Sequence, residues 1–160
     1  MAKTAVSEMH LIGLCLEGKT TNAHGQSGID CKNLWHRFEE ANYAALIPDK
    51  LNDHLYGVYH QYEGDSSKPF SYFIGCRVNK GSIVPKGLTK MDIPAGTYEK
   101  ITATGKMPDC VSKAWQEIWK ADYNRRYTID FEVYDERSRD WNNAEVDVYV
   151  AVDEPAEQGQ

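Results

Sequence analysis

The order of secondary-structure elements limits the folds open to this chain more than any other feature, because the same order occurs twice. Period-two alternation, helical spacing of apolar residues and turn clusters predict strand, helix, strand, strand over residues 9–78 and again over residues 93–152. Asp30-Cys31 and Asp109-Cys110 open the two helices. Two such units predict an α+β fold: duplicated βαββ units forming an antiparallel sheet, with two main helices and a pseudo-twofold central cleft.

The element boundaries follow from turn and capping residues. Residues 18–28, rich in Gly, Thr, Asn and Ser, predict a loop, after which Asp30 caps the first helix. Pro108 and Asp109 open the second helix, with Asp109 as its cap. The predicted strands cover residues 9–16, 54–62, 70–78, 93–104, 127–135 and 145–152.

Length and charge bound the organisation and the partners. The 160 residues suit one domain over residues 1–153, with repeats at about 8–80 and 91–152 and a flexible tail at 154–160. The net charge of −6 argues against direct nucleic-acid binding and against acidic membranes. There is no apolar run of membrane-spanning length and no signal peptide, so we expect a cytoplasmic protein.

Cysteine and histidine spacing gives no sign of a metal site or a cofactor. The four cysteines form no C-x-x-C pair, and the five histidines are scattered. We therefore expect free thiols, and neither a metal nor a cofactor.

The segment Asp130–Tyr134 carries the most informative carboxylate. If Glu132 and Tyr134 point inward, their neighbours point to the opposite face of the strand. A glutamate among aromatic side chains is costly to bury unless a cation or hydrogen-bond donors meet it, so Glu132 is a candidate ligand anchor. The alternative is an exposed strand glutamate paired with Arg125 or Arg126.

Seven short motifs, in order along nearly the whole chain, resemble the signatures of GyrI-like effector-binding domains. They are YGVY at 56–59, GD at 64–65, FSYFIG at 70–75, IPAGTY at 93–98, WxxI at 115–118, FEVY at 131–134 and VDVYV at 146–150. In that family the domains are drug-sensing parts of multidrug-responsive transcription regulators, or they stand alone. Some stand-alone members come from integron cassettes and bind cationic amphipathic compounds.

The resemblance implies a stand-alone small-molecule binder, because the two repeats use up the chain. It also implies that Glu132 is the buried carboxylate of the pocket. Gly57 stands at the equivalent position of the first repeat, so we expect the charge of the cleft to come from the second half alone.

A carboxylate ringed by aromatic side chains suits a flat organic cation, through stacking and cation–π attraction. Burial should raise the pKa of Glu132 and leave it partly neutral or hydrated without ligand. Core packing is the alternative for each aromatic candidate. The candidates are Trp35, Tyr59, Tyr72, Tyr98, Trp115, Trp119, Tyr127 and Tyr134.

Two other functions stay open. By resemblance, a hydrolase of reactive electrophilic genotoxins would use Glu132 as a general base beside Trp115 and Tyr134. A gyrase-inhibitor-like protein-binding module is the other. The chain has no recognisable nucleophile–base motif, which favours binding over catalysis. Homodimerisation through exposed edge strands is a further expectation.

Overall fold

A single antiparallel sheet carries the helices of this protein. The computed structural model describes residues 2–65, 67–121 and 123–153. The helices are α1 (Gln26–Glu40), α2 (Tyr43–Leu46) and α3 (Asp109–Lys120). The strands are β1 (Ala2–Val6), β2 (Met9–Cys15), β3 (Leu55–His60), β4 (Ser71–Val78), β5 (Thr89–Ile93), β6 (Gly96–Gly105), β7 (Asp130–Tyr134) and β8 (Ala144–Ala151).

The strand order confirms the predicted α+β fold of duplicated βαββ units. The sheet runs β1-β6-β8-β7-β3-β4-β2-β5, so β2-α1-β3-β4 and β6-α3-β7-β8 occupy its two halves. The halves meet where β3 pairs with β7. Gly57 lies directly opposite Glu132 at the centre of that pairing, between the pairs Leu55–Tyr134 and Tyr59–Asp130. The pseudo-twofold axis therefore passes between Gly57 and Glu132.

The sequence prediction missed strands β1 and β5, which exchange between the halves. β1 precedes the first unit in the chain but pairs with β6 of the second unit. β5 precedes the second unit but pairs with β2 of the first, so each unit gains its edge strand from the other. Both strands are only five residues long. The apolar residues of β1 do not alternate, and in β5 only Met91 and Ile93 are apolar, which is too little to reveal a strand from the sequence. The predicted strand at 93–104 is split, because Pro94 has no N–H for the ladder and separates β5 from β6.

The prediction for the start of the first helix was also wrong. Helix α1 begins at Gln26, inside the predicted loop, and Asp30 lies within the helix, where its carboxylate accepts a hydrogen bond from Gln26 Nε2 at 2.9 Å. Glycine and polar residues in the first turn masked the helical signal. Asn42, in the left-handed region with φ 51°, separates α1 from α2.

The sheet buries different clusters on its two faces. Against one face, α1 packs Leu34 and Phe38 onto β2 and β4, and α3 packs Ile118 onto β8. The opposite face carries a second cluster of Met9, Leu11, Tyr56, Val58, Phe73, Ile93, Tyr98, Phe131 and Ala151. Alternation along β7 therefore directs Glu132 to the helical face and Phe131 away from it, as predicted.

Two expectations about membranes and the C-terminal tail concern the helices and the end of the chain. None of the helices within the described ranges is both long and apolar enough to cross a bilayer. The tail predicted at 154–160 lies outside the described residues.

Candidate functional site

Four side-chain donors converge on the carboxylate of Glu132. Tyr59 Oη and Trp115 Nε1 donate to Oε2 at 2.8 and 2.7 Å. Tyr134 Oη and Tyr72 Oη donate to Oε1 at 2.6 and 3.2 Å. Strands β3, β4 and β7 supply the tyrosines, and α3 supplies the tryptophan. The site is therefore assembled from both halves of the fold.

Glu132 is held between two opposing electrostatic effects. Its side chain is only 1 % exposed, and this burial raises the pKa of the Glu132 carboxyl. The hydrogen bonds from Tyr134, Trp115, Tyr59 and Tyr72 lower that pKa in turn. Burial, and next the charge of Glu132, raise the pKa values of Tyr59 and Tyr134, so these hydroxyls stay protonated and donate.

A further ring layer holds the donors in place. Trp35, on α1, donates from Nε1 to Tyr72 Oη at 3.1 Å. Its ring meets Tyr134 edge-on, with centroids 5.1 Å apart. Tyr59 packs against Trp115 in the same manner at 4.9 Å. These contacts orient the donors toward Glu132 before any ligand arrives.

Gly57 makes the cluster sterically feasible. A Cβ at this position would collide with the hydroxyl oxygen of Tyr72 and would lie 3.0 Å from Glu132 Oε1. Because Gly57 has no side chain, the Glu132 carboxylate and the Tyr72 hydroxyl can occupy the space next to β3.

A second buried carboxylate lies beside Glu132, and it also comes from the second half of the chain. Asp130 is 0 % exposed and lies two residues before Glu132 on the same face of β7. Its Oδ2 accepts from Tyr62 Oη at 2.6 Å and from Arg125 at 2.8 Å, and its Oδ1 accepts from the backbone N–H of Ala151 at 2.8 Å. The period-two pattern of the strand already contained this signal.

The same geometry overturns the alternative of an exposed Glu132 paired with an arginine. Arg125 pairs with Asp130, and Arg126 lies 3.7 Å from Asp153. Glu132 has neutral donors instead.

A cavity of about 270 Å³ lies between α1 and α3, against the donors of these two carboxylates. Tyr59 and Trp115, which donate to Glu132, form part of its wall, as do Tyr62 and Arg125, which donate to Asp130. The lining residues are Asn22, Ser27, Gly28, Cys31, Tyr59, Tyr62, Phe70, Val111, Ser112, Trp115, Gln116, Trp119 and Arg125.

The structure divides the predicted aromatic residues into three groups. Tyr59, Trp115 and Trp119 line the cavity, and Trp119 is 45 % exposed. Trp35, Tyr72 and Tyr134 surround Glu132 without lining the cavity.

The third group consists of Tyr127 and Tyr98, and neither contacts Glu132. Tyr127 stacks on the guanidinium of Arg125 at 4.3 Å. The prediction for Tyr98 was wrong, because it packs on Phe131 and Tyr149 on the opposite face of the sheet. Its position on β6, away from the central pairing, was not apparent from alternation alone.

Tyr62, Phe70 and Arg125 are cavity residues that the sequence reasoning missed. Tyr62 and Phe70 fall inside the predicted strands 54–62 and 70–78 but outside β3 and β4, and Gln61, with φ 55°, breaks the strand alternation before Tyr62. Their rings pack together with centroids 5.7 Å apart.

One group in the described part of the chain has metal-ligand spacing. Ligand atoms of His54, Asp135 and Glu136 lie within 4.8 Å of one another. Both carboxylate oxygens of Asp135 already accept hydrogen bonds from Arg137 Nε, at 3.0 and 3.1 Å. The group is thus explained by an ion pair, and the absence of a metal stays a prediction.

The duplicated βαββ fold, with an aromatic cavity between its two long helices, places the chain in the class of effector-binding domains. Residues 4–152 match the family model described as integron-associated effector binding protein, and the chain belongs to that family. The predicted GyrI-like relationship and the integron-cassette relationship are thereby confirmed.

Solved structures and sequence relatives agree with this assignment. The integron cassette protein VCH_CASS2 of Vibrio cholerae is 27 % identical with a TM-score of 0.67, over 93 % of this chain and 94 % of its own. SAV2435, whose structure is bound to tetraphenylphosphonium, has a TM-score of 0.76 at 17 % identity, over 95 % and 93 % of the two chains, and shows the shared fold.

Two sequence relatives are named as transcriptional regulators. YobU of Bacillus subtilis (strain 168), a proposed transcriptional regulator, is 28 % identical over 74 % of this chain and 77 % of its own length. The transcriptional regulator BrlR of Pseudomonas aeruginosa is 28 % identical, and this chain spans 45 % of it.

Proposed function

We propose that this protein binds small amphipathic organic cations in the cavity between α1 and α3, to sense or sequester them. The observation that carries the proposal is the carboxylate of Glu132, which four neutral donors hold in place directly behind the aromatic wall of the cavity. A cation against the rings of Tyr59 and Trp115 experiences this charge without touching it.

The electrostatic attraction is large enough to matter. For a unit charge about 6 Å from an ionised carboxylate, Coulomb's law at an effective dielectric constant of about 20 gives roughly 3 kcal/mol. Cation–π contacts add on the order of 0.5–2 kcal/mol per ring. A micromolar dissociation constant needs about −8 kcal/mol, which two or three rings, apolar burial and this charge together supply.

The relatives support the same ligand class. SAV2435, which shares the fold, binds the organic cation tetraphenylphosphonium. The cavity of about 270 Å³ lies just below the range of about 300–1,000 Å³ usual for ligand pockets. We therefore expect bulky cations to extend to the mouth of the cavity and to contact the exposed ring of Trp119.

Binding is favoured over hydrolysis by the surroundings of Glu132. A general base needs a free lone pair toward the proton that it removes. Each carboxylate oxygen of Glu132 accepts two hydrogen bonds, and the side chain is buried. A role in positioning a positive charge fits this arrangement better than a role in activating water.

Titration calorimetry with tetraphenylphosphonium tests the proposal on the wild type, Glu132→Gln and Trp119→Ala. We expect Glu132→Gln to weaken binding about tenfold or more, since about 1.4 kcal/mol corresponds to tenfold. Trp119→Ala, at a partly exposed position with little effect on folding, should weaken it several-fold. Tyr98→Phe, on the opposite face, is the matched control and should leave affinity unchanged.

The pH dependence separates charge from shape. Cation binding favours ionised Glu132, so affinity should fall as pH decreases through the raised pKa of Glu132. Glu132→Gln should show a flat profile. Equal affinity of the wild type and Glu132→Gln at every pH would disprove the anchoring role.

A further inference from the structure

Arg125 already occupies a cation site within the cavity wall. Its side chain is 5 % exposed, and its Nη2 donates to Asp130 Oδ2 at 2.8 Å. The guanidinium carbon lies 4.3 Å from the ring centroid of Tyr127 and 5.7 Å from that of Trp115. A carboxylate and two ring faces are the partners that an organic cation from outside would use.

The arginine is held by charge and rings rather than by a full set of hydrogen bonds. Within the described ranges, its buried Nε and Nη1 atoms have no hydrogen-bond partner. Asp130, by contrast, has two further donors in Tyr62 and the backbone of Ala151. Arg125 is also the one charged residue among the described residues that line the cavity.

The two buried carboxylates stand at a defined spacing. Asp130 and Glu132 are two residues apart on one face of β7, so their backbone positions are separated by about 7 Å. Glu132 is approached from the cavity through the neutral donors Tyr59 and Trp115. Asp130 is approached through Arg125 and the neutral donor Tyr62.

We propose that Arg125 determines the charge selectivity of the cavity by filling a second cation subsite at Asp130. The wild-type cavity then takes a ligand with one cationic centre, near Tyr59 and Trp115, and repels a second positive charge at the Asp130 end. This inference rests on the proposed function and adds the class of ligand: monocations over dications.

A pair of compounds of one shape tests the selectivity. Methyl viologen is a flat dication whose charged nitrogens stand at a spacing similar to that of the two carboxylates, and N-methyl-4-phenylpyridinium has nearly the same shape with one charge. The dissociation constants of both are measured by calorimetry on the wild type, Arg125→Met, Arg125→Lys and Arg125→Met/Asp130→Asn.

The expected results differ between variants. The wild type should bind the monocation about tenfold more tightly than the dication or better, because close charge pairs in interfaces couple by more than about 1.4 kcal/mol. Arg125→Met should gain about tenfold or more for methyl viologen, whose second charge replaces the guanidinium at Asp130. Arg125→Lys keeps the charge and should keep the wild-type preference.

The double variant covers the case in which Arg125→Met does not fold, because it removes both members of the ion pair. It should bind the two compounds with nearly equal affinity, since neither repulsion nor attraction remains at that end. Intact monocation binding with an unchanged ratio in both variants would overturn the role of Arg125 alone. Tighter binding of the anion 4-phenylbenzoate to the wild type, or no binding of either cation to it, would overturn the proposed function as well.

Discussion

Gly57→Ala tests the packing at the pseudo-twofold axis most directly, because the added methyl group enters the space around the Glu132 carboxylate and its donors. It would collide with the Tyr72 hydroxyl and lie 3.0 Å from Glu132 Oε1. Overpacking of this kind costs about 1–3 kcal/mol. Displacing the Tyr72 hydroxyl from Glu132 costs about 1.5–3 kcal/mol more, as a hydrogen bond to a charged group. Replacing a strand glycine returns about 0.5–1 kcal/mol of backbone entropy. The expected loss is about 2–5 kcal/mol.

Urea unfolding at neutral pH measures this loss, with Gly28→Ala as the matched control. A Cβ at Gly28 meets nothing within 4 Å, and the residue lies inside helix α1. The same substitution there should stabilise the protein by about 0.5–1 kcal/mol. The sign of the change thus distinguishes steric collision from a general effect of replacing glycine.

A double-mutant cycle with Tyr72→Phe identifies the colliding atom. Without the hydroxyl, the methyl group still meets the ring carbon Cζ at 3.0 Å, so relief is partial. We expect the double variant to be more stable than the sum of the single changes by at least about 1 kcal/mol. Additivity within about 0.5 kcal/mol, or a Gly57→Ala protein as stable as the wild type, would refute the steric reasoning.

Three further predictions concern the donors and the other face of the sheet. Trp115→Phe removes the 2.7 Å hydrogen bond to Glu132, so urea unfolding should show a loss of about 1.5–3 kcal/mol in the free energy of unfolding. Because that hydrogen bond lowers the pKa of Glu132, the variant should lose cation binding at a higher pH than the wild type does. Burial, and then Lys19, lowers the pKa of His60 to about 4. Protonation therefore favours the unfolded chain as pH falls from about 6.5 to about 4, and His60→Gln should flatten the loss of unfolding free energy over that interval. Tyr98→Phe should change the affinity for tetraphenylphosphonium less than twofold by calorimetry, because Tyr98 packs on Phe131 across the sheet.

Most of the helical-face site was predictable, because strand alternation and helical spacing are local properties. Glu132 and Tyr134 face the helices as alternation requires, and Trp115 and Trp119, four residues apart, both line the cavity. The two failures have different causes. Tyr98 has the right residue type but lies on the wrong face, and Arg125 lies in an irregular segment that carries no periodic signal.

The duplicated order of elements, the family relationship and the inward direction of Glu132 were determined by the sequence itself, because periodicity is written into local residue choice. Only the tertiary structure decided what surrounds that carboxylate. Pairing of β3 with β7 sets Gly57 opposite Glu132, and packing of α3 directs Trp115 onto it. The exchange of β1 and β5 between the halves depends on pairing between strands that are far apart in the sequence. The ion pair of Arg125 with Asp130 joins residues only five apart, but it forms where an irregular segment folds back onto β7. Such pairings are set by the global minimum of packing and hydrogen bonding, which no local pattern encodes.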